Sequence, residues 1–144
     1  MLEGLKTYRL TWVRPSLLVP LLSAYPDVPF DLFHVGFPFA RELAAVALSW
    51  PNVWVDICWA PLVSPTAAVR ILEEYIDIIP GNKLLWGGDC IHPVSALGAA
   101  VIGRRVVAEA LARKLEAGAF TEPQALRLAE CILHDNAAEL YYSD

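Results

Sequence analysis

Residues 30–56 read FDLFHVGFPFARELAAVALSWPNVWVD, and the order of patterns within them decides the fold class. Phe30 to Phe33 is a short apolar run, interrupted by Asp31, that closes on His34. Gly36 and Pro38 break the run. A helical stretch follows from about Phe39 to Ser49, with Leu43, Val46, Ala47 and Trp50 on one face. Pro51-Asn52 ends that helix, and Val53 to Val55 forms a second apolar run closing on Asp56. Outward from this stretch, Leu84 to Trp86 closes in the same way on Gly87-Gly88-Asp89. Strands separated by helices imply right-handed parallel crossovers. Nearly continuous apolar strands fit a sheet covered on both faces. The chain is therefore read as α/β.

The rest of the chain fits that scheme. Residues 1–14 are irregular, with Tyr8–Val13 at most a frayed strand; Arg14-Pro15-Ser16 opens a helix reaching about Tyr25, and Pro26-Asp27-Val28-Pro29 is a turn. Strands are expected over Phe30–Val35, Val53–Cys58 and Leu84–Trp86. Ser64-Pro65, a capping hydroxyl before proline, starts a helix to Ile79. A long helix runs from about Pro93 to Ala117 and closes at Gly118. Thr121 and Gln124 form a capping box for a helix through Leu133, and Asp135–Tyr142 is a further short helix.

Composition narrows the function classes. The 144 residues suit a single domain. Hydrophobic residues make up 56% with mean hydropathy +0.44, above the usual ~45–50%. Every apolar stretch is broken well short of the ~20 residues that cross a bilayer, and the N-terminus lacks the pattern of a signal peptide. A soluble, cytoplasmic protein without a membrane partner is expected. Net charge of −5 with scattered basic residues argues against nucleic acid. The three cysteines, Cys58, Cys90 and Cys131, have no CxxC spacing and suit a reducing compartment as small buried apolar residues.

Parallel sheets keep their chemistry at the carboxyl ends of the strands. His34 and Asp89 reach that edge from separate strands. A neutral imidazole can ligate a divalent metal or take a proton, and a carboxylate after a Gly-Gly bend can do either. His92 is a candidate substrate contact or simply a loop residue. Trp59 offers an apolar pocket wall with one donor. Arg41 could bind an anionic group or lie exposed on its helix. Asp56 should face away from the core if Val55 and Ile57 pack inward, and His134 reads as structural.

The segments DLFHVGFPFARELAAVALSWPNVWVDICW, LLWGGDC and ILHDNAAELYY together resemble the C-terminal part of the amidohydrolase-related family of metal-dependent TIM barrels. In that family a His-x-Gly segment lies on strand six, a PNV-V-D pattern on strand seven and a Gly-(Gly/Ser)-Asp segment on strand eight. The resemblance spans roughly residues 15–142 and implies a partial (β/α)8 barrel, the last three βα units plus C-terminal helices, within residues 1–144. It implies that His34 binds metal or activates water, and that Asp89 ligates metal and shuttles a proton. It implies hydrolysis of amide, ester or related C–X bonds of a small-molecule substrate, or decarboxylation, with a divalent metal, commonly zinc. The family's His-x-His of strand one and histidine of strand five are absent, since no histidine precedes His34. A truncated barrel is therefore expected, completed by a missing N-terminal half or by homo-oligomerisation. The alternatives are a non-catalytic half-barrel that self-associates and a small-ligand-binding α/β domain.

Overall fold

In the computed structural model, which describes residues 13–142, three parallel strands lie side by side in sequence order with helices between them. A 3₁₀ turn over Pro15–Leu18 leads into α1 (Val19–Ala24), followed by β1 (Phe30–Leu32), α2 (Ala40–Ser49), β2 (Val53–Asp56), α3 (Ala60–Val63), α4 (Pro65–Ile78) and β3 (Leu84–Leu85). The long α5 (Pro93–Glu116) and α6 (Glu122–Glu130) come next. A π turn over Cys131–Asp135 then carries the chain into α7 (Asn136–Tyr142). Residues 8–12 of the expected Tyr8–Val13 strand lie outside the described residues.

Register explains which side chains meet. Phe30 pairs with Val53, Asp31 with Trp54 and Leu32 with Val55, while Val55 pairs with Leu84 and Asp56 with Leu85. Because side chains alternate along a strand, Val53, Val55 and Leu84 share one face. All three are fully buried, in a core with Leu43 of α2, Leu72 of α4 and Val107 of α5. Asp31, Trp54 and Asp56 share the opposite face. There α7 closes over the sheet, and Tyr141 Oη donates to Asp31 Oδ2 at 2.6 Å.

Local signals account for most boundaries. Ser64 Oγ accepts from Ala67 N–H at 3.2 Å to start α4, and Thr121 N–H donates to Gln124 Oε1 at 2.9 Å at α6. At the end of α5, Gly118 has φ +73°, and the Gly118 and Ala119 amides bond back to Leu115 and Lys114, a Schellman closure. Buried Asn52 ties the α1–β1 connection by donating to the carbonyls of Leu22, Tyr25 and Val28. Asn136 Nδ2 fastens the start of α7 to Gly81 and Leu84 carbonyls.

Several elements depart from expectation. All three strands are shorter than read from sequence: the chain leaves the extended region at the C-terminal edge, where backbone serves the site rather than the ladder. The segment before Tyr25 begins as 3₁₀ rather than α-helix. The short α3 has no counterpart in the sequence reading, and α6 stops at Glu130 and passes through the π turn without a break. Of the cysteines only Cys58 is buried; Cys90 and Cys131 are partly exposed, and all three are free. Among the described residues no helix is long and apolar enough to cross a membrane.

Candidate active site

Four non-glycine residues among those described have positive φ: His34 (65°), Val35 (49°), Trp59 (61°) and Asp89 (45°). All four follow the carboxyl ends of the three strands. Such backbone is costly for residues with a Cβ and persists where surrounding structure enforces it. After β1 the enforcement is visible. Tyr75 of α4, 1% exposed, places its hydroxyl 2.7 Å from Val35 O and 3.0 Å from Ala40 O, pinning the turn that presents His34.

That turn brings His34 Nε2 to 3.1 Å from Asp89 Oδ2. The side chains are 46% and 48% exposed, so the pair is reachable from solvent. The imidazole also meets the rings of Trp59 and Phe33 edge-on, with centroids 5.6 and 6.0 Å away. Both aromatic residues keep an exposed face. The result is a half-open histidine–carboxylate pair walled by aromatics, suited to moving a proton beside an apolar group.

The last residue of β2 is a carboxyl that sequence reasoning undervalued. Asp56 does face away from the core side of the sheet, as alternation requires, on the face it shares with Asp31 and Trp54. Its Oδ1 accepts from Cys58 N–H at 2.7 Å and from Gly87 N–H at 2.9 Å. Burial pushes its carboxyl up to about 6, although the two amides oppose that rise. Burial likewise raises Asp31, and Asp31 Oδ1 is buried without a hydrogen-bond partner among the described residues. Burial and the Asp56 charge push the Cys58 thiol up to about 12, the opposite of what a nucleophilic thiolate needs. The sequence signal for Asp56 was the polar residue ending VWVD; Tyr75 and Tyr141 carried none.

The structure brings together His34, Asp89 and Trp59 of the sequence-derived candidates. It does not bring Arg41 or His92 to them. Arg41 projects from α2 and forms a bidentate pair with Glu74 of α4, at 2.8 Å for each bond. His92 is exposed at the N-cap position of α5, and among the described residues no hydrogen bond or ion pair links it to His34 or Asp89. His134 pairs with its neighbour Asp135 at 2.9 Å, away from the site. Among the described residues no three His, Cys, Asp or Glu side chains are grouped so as to hold a metal ion.

Residues 3–142 match the Amidohydrolase family. The chain belongs to the amidohydrolase family. A curated relative, protein FluG of Emericella nidulans, is 33% identical over 129 residues, which is 88% of this chain and 15% of FluG. A crystal structure from Lactobacillus casei, described as a candidate metal-dependent hydrolase, superposes with a TM-score of 0.75 at 24% identity, covering 90% of this chain and 34% of the other. The amidohydrolase match thus extends over nearly the whole chain, while the chain spans only a small part of either relative. The superposition bears on the fold: an α/β arrangement built on a parallel sheet.

Proposed function

We propose that residues 1–144 supply the last three βα units and closing helices of a (β/α)8 barrel, and that His34 and Asp89 are proton-transfer residues of a hydrolase acting on a small amide, ester or related substrate. The observation that carries this reading is the 3.1 Å contact between His34 Nε2 and Asp89 Oδ2 at the carboxyl edge of the sheet. Support for the partial barrel comes from the sequential parallel strand order and from the much longer solved chain on which this one superposes. Asp89 orients the imidazole. The pair takes the proton that an attacking water loses and returns it to the leaving group, a role worth about 10²–10⁴-fold in rate. Trp59 and Phe33 present apolar surface to the substrate.

Family membership suggests a metal cofactor, with zinc the expectation from the resemblance. The donors among the described residues do not fit one by themselves. A catalytic zinc site uses three protein ligands, whereas here two donors are bonded to each other. A metal centre would therefore need donors beyond those described, such as an N-terminal half of the barrel would contribute. A second reading, a non-catalytic half-barrel that pairs with another copy, is favoured by one observation: Ile91, Val94 and Leu97, just beyond Asp89, are 94%, 83% and 69% exposed.

Metal content and hydrolysis of a panel of small amides and esters, measured on the protein purified from its source, decide the matter. The hydrolase reading expects bound divalent metal and a loss of at least ~10²-fold in kcat/KM for His34→Ala and Asp89→Ala. Activity unchanged in both variants overturns it, and a metal-free, inactive dimer supports the half-barrel instead.

A further inference from the structure

The geometry points to Asp56 as a positioning residue: a single carboxylate oxygen ties the backbone that carries Trp59 to the backbone that carries Asp89, and so sets the His34–Asp89 contact. This rests on the reading of that pair as the site, but its test does not use hydrolysis.

Asp56 Oδ1 receives both Cys58 N–H and Gly87 N–H, at 2.7 and 2.9 Å. Cys58 immediately precedes Trp59, whose ring packs against the His34 imidazole. Gly87 lies two residues before Asp89, which bonds to that imidazole from the other side. Trp59 and Asp89 both have positive φ; for bulky Trp59 local preference works against this conformation, and an external restraint has to hold it. Asp56 bonds one residue upstream of Trp59 and two upstream of Asp89. Close approach is built in as well: a Cβ on Gly87 would sit 2.8 Å from Asp56 Oδ2, so a side chain there would collide with the carboxyl. The arrangement also explains why a buried acid stands where a hydrophobic residue would fit the strand. An apolar side chain would leave two inward-facing amides without an acceptor.

Nuclear magnetic resonance on the isotopically labelled chain tests this with Asp56→Asn and Asp56→Ala. Asparagine keeps an oxygen in the place of Oδ1 and can accept both amides; alanine can accept neither. One-bond Cα–Hα couplings, which separate positive from negative φ, are expected to stay unchanged at Trp59 and Asp89 in the asparagine variant, with the His34–Trp59 ring contacts retained. In the alanine variant both are expected to be lost. A folded alanine variant that keeps the couplings and ring contacts overturns the proposal, because a merely structural acid would lower stability without moving them.

The wild-type chain provides a measurement independent of folding in the variants. Asp31 of β1, the Cys58 thiol and Tyr141 of α7 are the titratable groups that interact with Asp56. Protonation of Asp56 weakens its acceptance of both amides together. The Cys58 and Gly87 amide protons are therefore expected to shift with one shared midpoint, near the value of about 6 that burial gives Asp56, and resonances of Trp59 and Asp89 should follow. Separate midpoints for the two amides would overturn the coupling. Should the coupling hold while His34→Ala leaves hydrolysis intact, the hydrolase reading fails and the positioning role stands.

Discussion

Replacing Tyr75 with phenylalanine removes one oxygen atom and leaves the ring, so it isolates what the hydroxyl does for the turn bearing His34. The hydroxyl is buried, and its 2.7 Å bond to Val35 O is the shorter of its two contacts. Val35 itself is 1% exposed, so water does not readily replace the lost donor. A buried carbonyl left without a partner costs about 1–3 kcal/mol, and ~2 kcal/mol is the expected loss of stability. For a domain of this size that lowers Tm by roughly 5–10 °C. The turn stores a comparable amount, since each residue with a Cβ held left-handed costs about 1–2 kcal/mol, and both His34 and Val35 are so held. Tyr75→Phe should therefore loosen the turn as well as destabilise the fold. Urea unfolding measures the destabilisation, and His34–Trp59 ring contacts by magnetic resonance measure the loosening of the turn. A variant within ~0.5 kcal/mol of wild type, with those ring contacts intact, would refute the claim that Tyr75 holds the site's backbone.

Stability should also respond to pH through Asp56. The folded protein holds this carboxyl at about 6 against 3.8 for an unperturbed aspartate, so the folded state binds the proton more tightly than the unfolded one. The group's stabilising contribution is full below about pH 4 and is lost as pH rises through 6, a change of about 3 kcal/mol for two units. Urea unfolding of wild type beside Asp56→Asn should show that difference shifting against wild type by this amount between about pH 4 and 7; a flat difference contradicts it. Gly87→Ala should cost ~1–3 kcal/mol, because its Cβ meets a carboxyl already held by two amides. Equal unfolding midpoints for this variant and wild type would show that the Asp56 carboxyl can move aside freely.

Periodicity, capping and strand-end chemistry carried most of the fold. The parallel α/β class, the Ser64 start of α4 and the Gly118 stop of α5 follow from local rules, because a cap or a left-handed closure is satisfied within a few residues of itself. The resemblance of three segments was enough to indicate the amidohydrolase family, which the match over residues 3–142 bears out. His34, Asp89 and Trp59 were legible as candidates because each follows a strand end.

What the sequence could not supply was contact across large separations. The His34–Asp89 bond joins residues 55 apart, the Tyr75–Val35 bond residues 40 apart, and the Asp56–Gly87 bond residues 31 apart. No periodicity encodes such pairings. Arg41 illustrates the same limit from the other direction: its place in the first turn of its helix suggested an anion contact, but packing of α2 against α4 puts Glu74 within 2.8 Å of its guanidinium. Backbone conformation at the site was equally hidden, since His34, Val35, Trp59 and Asp89 do not favour positive φ locally, and only the packed tertiary structure holds them there. The sequence by itself determined the elements, their order and the chemical types at the strand ends. The tertiary structure decided which of those groups meet, because that depends on strand register and helix packing rather than on any residue's own preference.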